Sequence, residues 1–376
     1  MYIKTLELKD FRNYDNLFME FHNGINILYG DNAQGKTNIL EAIYICGTTK
    51  SHKGSKDKEI IKLDKDESHI RILLDRDKAT HKVDMHLKKN KPKGVAIDGL
   101  PIKKSSELFG IVNIVFFSPE DLSIIKNGPS ERRRFIDLEL CQLDKVYLYN
   151  LTNYNKIISQ RNNLLKQISF NKKLLDTLSI WDMQLVEYGT QIIQRRNLFI
   201  EQLNEIVYDI HRKLSGDKEQ LVIKYEPNVS IESFSNKLAD SQERDIALKM
   251  TNVGPHRDDI SFLNGDIDIR RFGSQGQQRT SALSLKLAEI ELVKKITQDK
   301  PILLLDDVLS ELDRKRQNYL LNSIHGIQTI ITCTGLEEFI TNRMECDNIY
   351  RVVEGTVTNE NTSTLEIIHR KTGGNL

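Results

Sequence analysis

The 376-residue chain has little cysteine: Cys46, Cys141, Cys333 and Cys346 are widely spaced and form no CxxC pair. That pattern argues against a zinc site or a disulfide framework and fits a reducing compartment. No apolar run reaches the roughly 18 residues a membrane span needs, so no membrane helix is expected. The opening "MYIKTLELKDF" alternates like a strand and carries charge early, unlike a signal peptide. A cytoplasmic protein is expected. Net charge is lacking too: at +1 the chain as a whole has no pull on a polyanion. Any nucleic-acid affinity must therefore come from a local patch. With 39% hydrophobic and 28% charged residues the composition is that of a soluble protein. The length suffices for about two or three domains with buried cores.

Glycine is nearly absent from 130 to about 216, and there the pattern turns helical, over roughly 138–168 and 174–215. Leu185, Tyr188, Ile192, Leu198, Leu203 and Ile206 keep approximate helical spacing in the second segment. A helix of about 28 residues would be roughly 42 Å long, so the pair reads as a short antiparallel arm. On either side the chain is strand-like. "IKTLELKDF" and "GINILYG" precede a glycine-rich turn and the helical "NILEAIYIC". "VNIVFF" (112–117), "PILLLDD" and "GIQTIITCT" read as buried strands. The segment 50–104 is strand-like and basic, with 16 Lys and Arg against 9 Asp and Glu. Two terminal blocks thus build one α/β domain, 1–130 with 245–376, interrupted by a helical lobe at 131–244. The polar tail after about 356 is expected to fray at its end.

The chemistry sits in three stretches. "GDNAQGKT", Gly30, Asp31, Asn32, Ala33, Gln34, Gly35, Lys36 and Thr37, followed by Asn38, fits G-x-x-x-x-G-K-[ST] between a strand and a helix. Its glycines let backbone N–H groups wrap phosphates, and the helix N-terminus adds partial positive charge. Lys36 supplies a point charge to the terminal phosphates and Thr37 a hydroxyl to Mg²⁺. "ILLLDD" ends a buried strand in two carboxylates that are costly to bury without a cation. Asp306 fits the Mg²⁺ position. Asp307 fits a base polarising the attacking water, or a cap for the next turn. The third stretch, "SQGQ" (Ser274, Gln275, Gly276, Gln277), opens a long helix, so that orphan N–H groups and a serine hydroxyl face an anion. The phosphates already have a cradle in the same chain, so this second anion site is read as serving ATP bound to another copy.

These motifs, with the "SELD" stretch at 310–313, resemble those of the SMC/ABC ATPases of DNA repair. "LKDFRNY", "GPSERRRFIDLEL" (128–140), "VGPHRDDI" (253–260) and "GSQGQQR" narrow the resemblance to the RecF family, over nearly the whole chain. The resemblance implies an ABC-type ATPase head with a helical second lobe. It also implies ATP and Mg²⁺ as cofactors, ATP-dependent homodimerisation and slow hydrolysis. Its implied targets are gapped and single- or double-stranded DNA, with RecO and RecR as partners in RecA loading. Three departures stand out. Asp307 stands where many ABC ATPases have Glu. "SPEDL" (118–122) replaces the glutamine loop. No switch histidine follows "TIITCT", where Thr332 and Thr334 are nearest. The last two argue against the competing reading, a transporter ATPase subunit. An ATP-locked clamp without hydrolysis is a third reading.

Other residues keep two readings each. Arg132, Arg133 and Arg134 in a first helical turn oppose the helix dipole and so want an acidic partner, either DNA phosphate or an internal carboxylate. Lys88, Lys89, Lys91 and Lys93 beside Pro92 form a DNA contact or a solvated hairpin. Arg12 reaches a nucleotide or lies in a surface turn. His256, Arg257, Asp258 and Asp259 form a metal site or a turn network.

Overall fold

The computed structural model describes residues 1–76, 79–336 and 346–360; the last stretch of the polar tail lies outside them. In chain order the strands β1 (Tyr2–Phe11), β2 (Tyr14–Glu20) and β3 (Ile25–Tyr29) lead into helix α1 (Lys36–Thr48) and the short α2 (Asp57–Ile60). Next come β4 (Glu67–Arg76), β5 (Ala79–Lys88), β6 (Gly94–Ile97), β7 (Leu100–Pro101) and β8 (Ile114–Phe117). The helices α3 (Leu122–Lys126), α4 (Pro129–Leu143), α5 (Lys145–Ile168) and α6 (Leu178–Ser215) follow. Then come β9 (Leu221–Glu226), α7 (Phe234–Asp240), α8 (Gln242–Leu248), β10 (Asp259–Asn264), β11 (Ile267–Asp268), α9 (Ile269–Phe272) and α10 (Gln275–Thr297). The chain continues through β12 (Ile302–Asp306), α11 (Arg314–Ser323), β13 (Thr329–Cys333), β14 (Asn348–Val353) and β15 (Thr356–Asn359).

These elements fall into two compact units, Met1–Asp121 with Glu289–Leu376, and Leu122–Ala288. The sequence division at 131 and 244 runs differently, because 245–288 is bound into the helical unit by strand pairing. There β10 pairs antiparallel with β9, with Asp259 opposite Glu226 and Asn264 opposite Leu221.

The first unit holds two six-stranded sheets. One is antiparallel, in the order β2-β1-β4-β5-β6-β7. The other is mainly parallel, in the order β15-β14-β3-β13-β12-β8. The apolar runs explain the second sheet: every residue of β12, β13 and β8 is buried, as expected for strands covered on both faces. Helix α1 packs against β8, β12 and β13 and also against β4. From Ile39 to Thr48 it is buried all round, which is why its sequence shows no polar face.

In the second unit α5 and α6 form a helical hairpin. Buried residues Tyr147, Asn150, Tyr154, Ile157, Arg161, Leu165 and Ile168 keep three- and four-residue spacing along α5. The helical pattern expected over 138–168 is broken at Asp144. This residue is extended, and its carboxylate accepts from the N–H groups of Val146 and Tyr147, capping α5. Helix α6 has 38 residues, about 57 Å at 1.5 Å per residue, and fills most of the expected 174–215 segment, starting four residues later. Its buried stripe includes Arg196, whose guanidinium donates to the Tyr147 hydroxyl (3.0 Å), the Pro255 carbonyl (2.7 Å), Asp258 (2.8 Å) and Asp137 (2.7 Å). One cation thereby ties α4, α5 and α6 to the turn before β10. Removing it leaves the buried Asp258 and the half-buried Asp137 without their partner, a loss of about 3–5 kcal/mol. Arg196→Ala should therefore lower the urea midpoint of the transition followed at Trp181, with wild-type stability as the contrary result.

Candidate functional site

The loop between β3 and α1 is shaped by backbone geometry that few side chains accept. Gly30 and Gly35 have φ of 150° and 110°. A Cβ on Gly30 would lie 2.3 Å from the Val352 carbonyl oxygen, and one on Gly35 would lie 2.5 Å from the Asn13 amide. Ala33 between them is also left-handed, at 64°. The loop is braced from outside. Asn13 donates to the Gln34 carbonyl and accepts from the Asn38 amide, and the Tyr14 hydroxyl donates to the Gly35 carbonyl. The Glu354 N–H reaches Gln34 Oε1 at 2.6 Å. Asp31, Asn32 and Ala33 are exposed.

Lys36 is buried, and its ammonium donates to the Gly30 (2.6 Å) and Asp31 (2.9 Å) carbonyls. The cation is thus held inside the curve of the loop, at the start of α1. Thr37 Oγ1 donates to Asp306 Oδ1 at 2.9 Å, and Thr332 Oγ1 donates to the same oxygen at 2.7 Å. Asp306 is buried at the end of β12. Burial pushes its carboxyl above the ordinary aspartate value, against the two hydroxyl hydrogen bonds that favour the charged form. A buried carboxylate beside a threonine hydroxyl is an all-oxygen donor set of the kind a hard divalent cation takes, and it fits Mg²⁺. The structure therefore brings Thr37 and Asp306 together, as their sequence reading required.

Asp307 follows with φ of 52°. Its N–H donates to Thr332 Oγ1 (3.0 Å) and its carbonyl accepts from Ser310 Oγ (2.8 Å). Its backbone is thus fastened on both sides and its side chain remains partly exposed. Where the glutamine loop would start, Ser118 N–H donates to Asp121 Oδ2 and closes a 3₁₀ turn over Pro119–Asp121. Thr332 occupies the end of β13 as a bridge between Asp306 and Asp307, whereas Thr334 is exposed.

In the second unit, Ser274 and Gln277 form a reciprocal cap at the start of α10. The Ser274 N–H donates to Gln277 Oε1 (2.8 Å), and the Gln277 N–H donates to Ser274 Oγ (3.2 Å). Ser274, Gln275 and Gly276 are exposed. Gln277 Nε2 also donates to Glu219 (2.9 Å), whose other oxygen lies 3.3 Å from His211 Nε2. The glutamine is thereby oriented by α6 and the turn after it, a link no sequence pattern announced.

Several sequence candidates prove to be structural. Arg132 is 1% exposed, pairs bidentately with Asp259 (2.6 and 2.9 Å) and donates to the Asn127 carbonyl. It is spent on an internal carboxylate, which corrects its placement among DNA contacts. Arg133 donates to the Asp258 carbonyl, and Arg134 is exposed on α4. His256 belongs to a turn network. Its Nε2 donates to the Thr251 carbonyl, its Nδ1 accepts from Tyr154, and burial lowers its pKa to about 4. Lys93 is tied to Asp57 (2.9 Å) and the Thr49 carbonyl, so it does not join Lys88, Lys89 and Lys91 as one basic tip. Lys88 and Lys89 lie near Glu67 and Asp66 on the surface, and Lys91 is exposed. Arg12 reaches inward to the buried Glu41 with two hydrogen bonds.

A family model described as the RecF/RecN/SMC N terminal domain matches residues 2–359. A DNA replication and repair protein RecF of Lachnoclostridium phytofermentans is 70% identical over 357 residues, covering 95% of this chain and 99% of that one. This chain belongs to the RecF family. A solved structure of the recombination mediator protein RecF with ATP, in the RecFOR pathway, is similar at TM-score 0.90 and 38% identity. That likeness covers 96% of this chain and 97% of the other. The Smc head domain of Pyrococcus furiosus, at 18% identity and TM-score 0.56 over 99% of both chains, shares the fold. The architecture is therefore the SMC/ABC-type ATPase head with a helical segment expected from the sequence.

Lys36→Ala removes the charge held inside the loop. It should weaken ATP binding by at least about 2–3 kcal/mol, the scale of a charged hydrogen bond lost without replacement. Titration with a fluorescent ATP analogue checks this, and wild-type affinity in the variant would contradict it.

Proposed function

We propose that the protein is a weak ATPase of DNA repair and replication, binding Mg²⁺–ATP in the 30–38 loop and dimerising when it does so. The observation that carries this reading is Lys36 held against the Gly30 and Asp31 carbonyls of the loop, next in sequence to Thr37, whose hydroxyl donates to the buried Asp306. Gly30 to Asn38 would hold the phosphates through backbone N–H groups, with Lys36 exchanging its loop carbonyls for phosphate oxygens. Thr37 and Asp306 would hold Mg²⁺, which supplies charge neutralisation between the phosphates. Asp307, fixed by Thr332 and Ser310, would orient the attacking water. Its side chain is one methylene shorter than Glu, which supports slow turnover.

The exposed Ser274-Gln275-Gly276 face, with Gln277 oriented by Glu219, supports a role for the signature in closing over ATP held by a second copy. The names of the relatives support action in DNA replication and repair through the RecFOR pathway, with RecO and RecR as partners; RecA loading is the outcome that the family resemblance implies. Gapped and single- or double-stranded DNA would be the targets. No helix among the described residues is long and apolar enough to cross a membrane, which accords with a cytoplasmic site of action. Lys88, Lys89, Lys91 and Arg134 remain the DNA-facing cations in this reading.

Ser274→Arg tests the trans role, because it fills the anion site while leaving the 30–38 loop untouched. The variant should bind ATP as wild type does and stay monomeric in light scattering with ATP. Normal ATP-dependent dimerisation would overturn the trans role.

A further inference from the structure

We propose that Glu67, His69 and His86 form a surface site for one divalent ion of the zinc class, distinct from the Mg²⁺ position. The site follows from strand register. In the β4–β5 pair, His69 stands directly opposite His86 and Glu67 opposite Lys88. Side chains alternate across a strand, so Glu67, His69 and Arg71 share the outer face of β4 while Ser68, Ile70 and Ile72 are buried. Asp84, His86 and Lys88 share that face on β5, with Val83, Met85 and Leu87 buried.

The two imidazoles stack with centroids 3.9 Å apart. His86 Nε2 lies 3.0 Å from Glu67 Oε2, and His69 Nε2 lies 3.9 Å from Glu67 Oε1. One ligand atom from each residue falls within 4.8 Å of the others. An ion with bonds of about 2.0–2.2 Å to nitrogen and oxygen needs such atoms roughly 3–4 Å apart. Small side-chain rotations therefore suffice. Two imidazoles and a carboxylate select zinc, nickel or copper over magnesium or calcium, which favour all-oxygen sets. The scarcity of cysteine excludes a thiolate site and leaves an imidazole site open.

Nearby cations define the competition. Lys88 Nζ sits 3.2 Å from Glu67 Oε2, where it takes part of the negative charge an incoming ion would use. Lys9 stands opposite His69 on β1. On the far side of His86 the register partner is Gly94, so no side chain there covers the ring. The open coordination positions face solvent, and the ion would staple β4 to β5.

Zinc uptake by the nucleotide-free full chain at pH 7.5, measured by isothermal titration and by metal analysis after desalting, tests the proposal. The expected result is one ion per chain more than the His69→Ala/His86→Ala double variant takes up, which subtracts any zinc held elsewhere. Glu67→Gln, nearly isosteric and exposed, should weaken that increment at least about tenfold, the loss typical even for an outer-shell partner. Lys88→Ala should strengthen it severalfold. Zinc should also raise the melting temperature of wild type more than that of the double variant. Equal zinc uptake by wild type and the double variant would overturn the site. So would uptake unchanged by Glu67→Gln.

Discussion

A single buried carboxylate oxygen, Asp306 Oδ1, organises the C-terminal end of the parallel sheet's strand β12. It accepts from Thr37 at the start of α1 and from Thr332 on the neighbouring strand. The two hydroxyls come from segments far apart in sequence: parallel register sets Thr332 beside Asp306, and the start of α1 brings Thr37. The cost of burying the charge is met in part by these donors, and burial still raises the carboxyl's pKa. In the proposed role, a divalent ion bound there would relieve that cost. The same Thr332 hydroxyl fixes the backbone of Asp307, so the placement of one carboxylate carries over to the next.

Much of this was legible in the sequence, for physical reasons that differ from element to element. The runs "ILLLD" and "TIITC" could be only doubly covered strands, and the glycine spacing of 30–35 left a phosphate loop as the natural reading. What periodicity could not show was partnership across long sequence distances. The helix break at Asp144 was hidden because apolar spacing continues through it, and only the extended backbone and the capped N–H groups reveal the boundary. The arginines at 132 and 133 stayed open between DNA phosphate and an internal partner because their acceptors, Asp259 and the Asp258 carbonyl, are more than a hundred residues away. Thr332 was noted only as the nearest residue to a missing histidine. Its role as the bridge between two carboxylates depends on register that no local pattern contains.

The helical unit follows a different principle. Arg161 and Arg196 lie in the middle of apolar stripes, where an aliphatic residue would have completed the pattern. Arg161 is instead held by Asp182, Asp245 and Thr251, and Arg196 by Asp137 and Asp258. Such cations add little net stability over apolar packing and penalise any register in which their carboxylates fail to arrive. They fix where the turn at 251–258 meets the hairpin. The signature glutamine, joined through Glu219 to His211, is set from the same helix.

The account rests most heavily on Asp306 as the anchor of the divalent ion. The direct measurement is ATP affinity by equilibrium dialysis, with and without Mg²⁺, for wild type and Asp306→Asn. Asparagine keeps the shape and an acceptor for Thr37 and Thr332 and removes the charge. Wild type should bind ATP more tightly with Mg²⁺, and the variant should bind with an affinity that Mg²⁺ no longer improves. An undiminished Mg²⁺ effect in Asp306→Asn would contradict the assignment of this carboxylate.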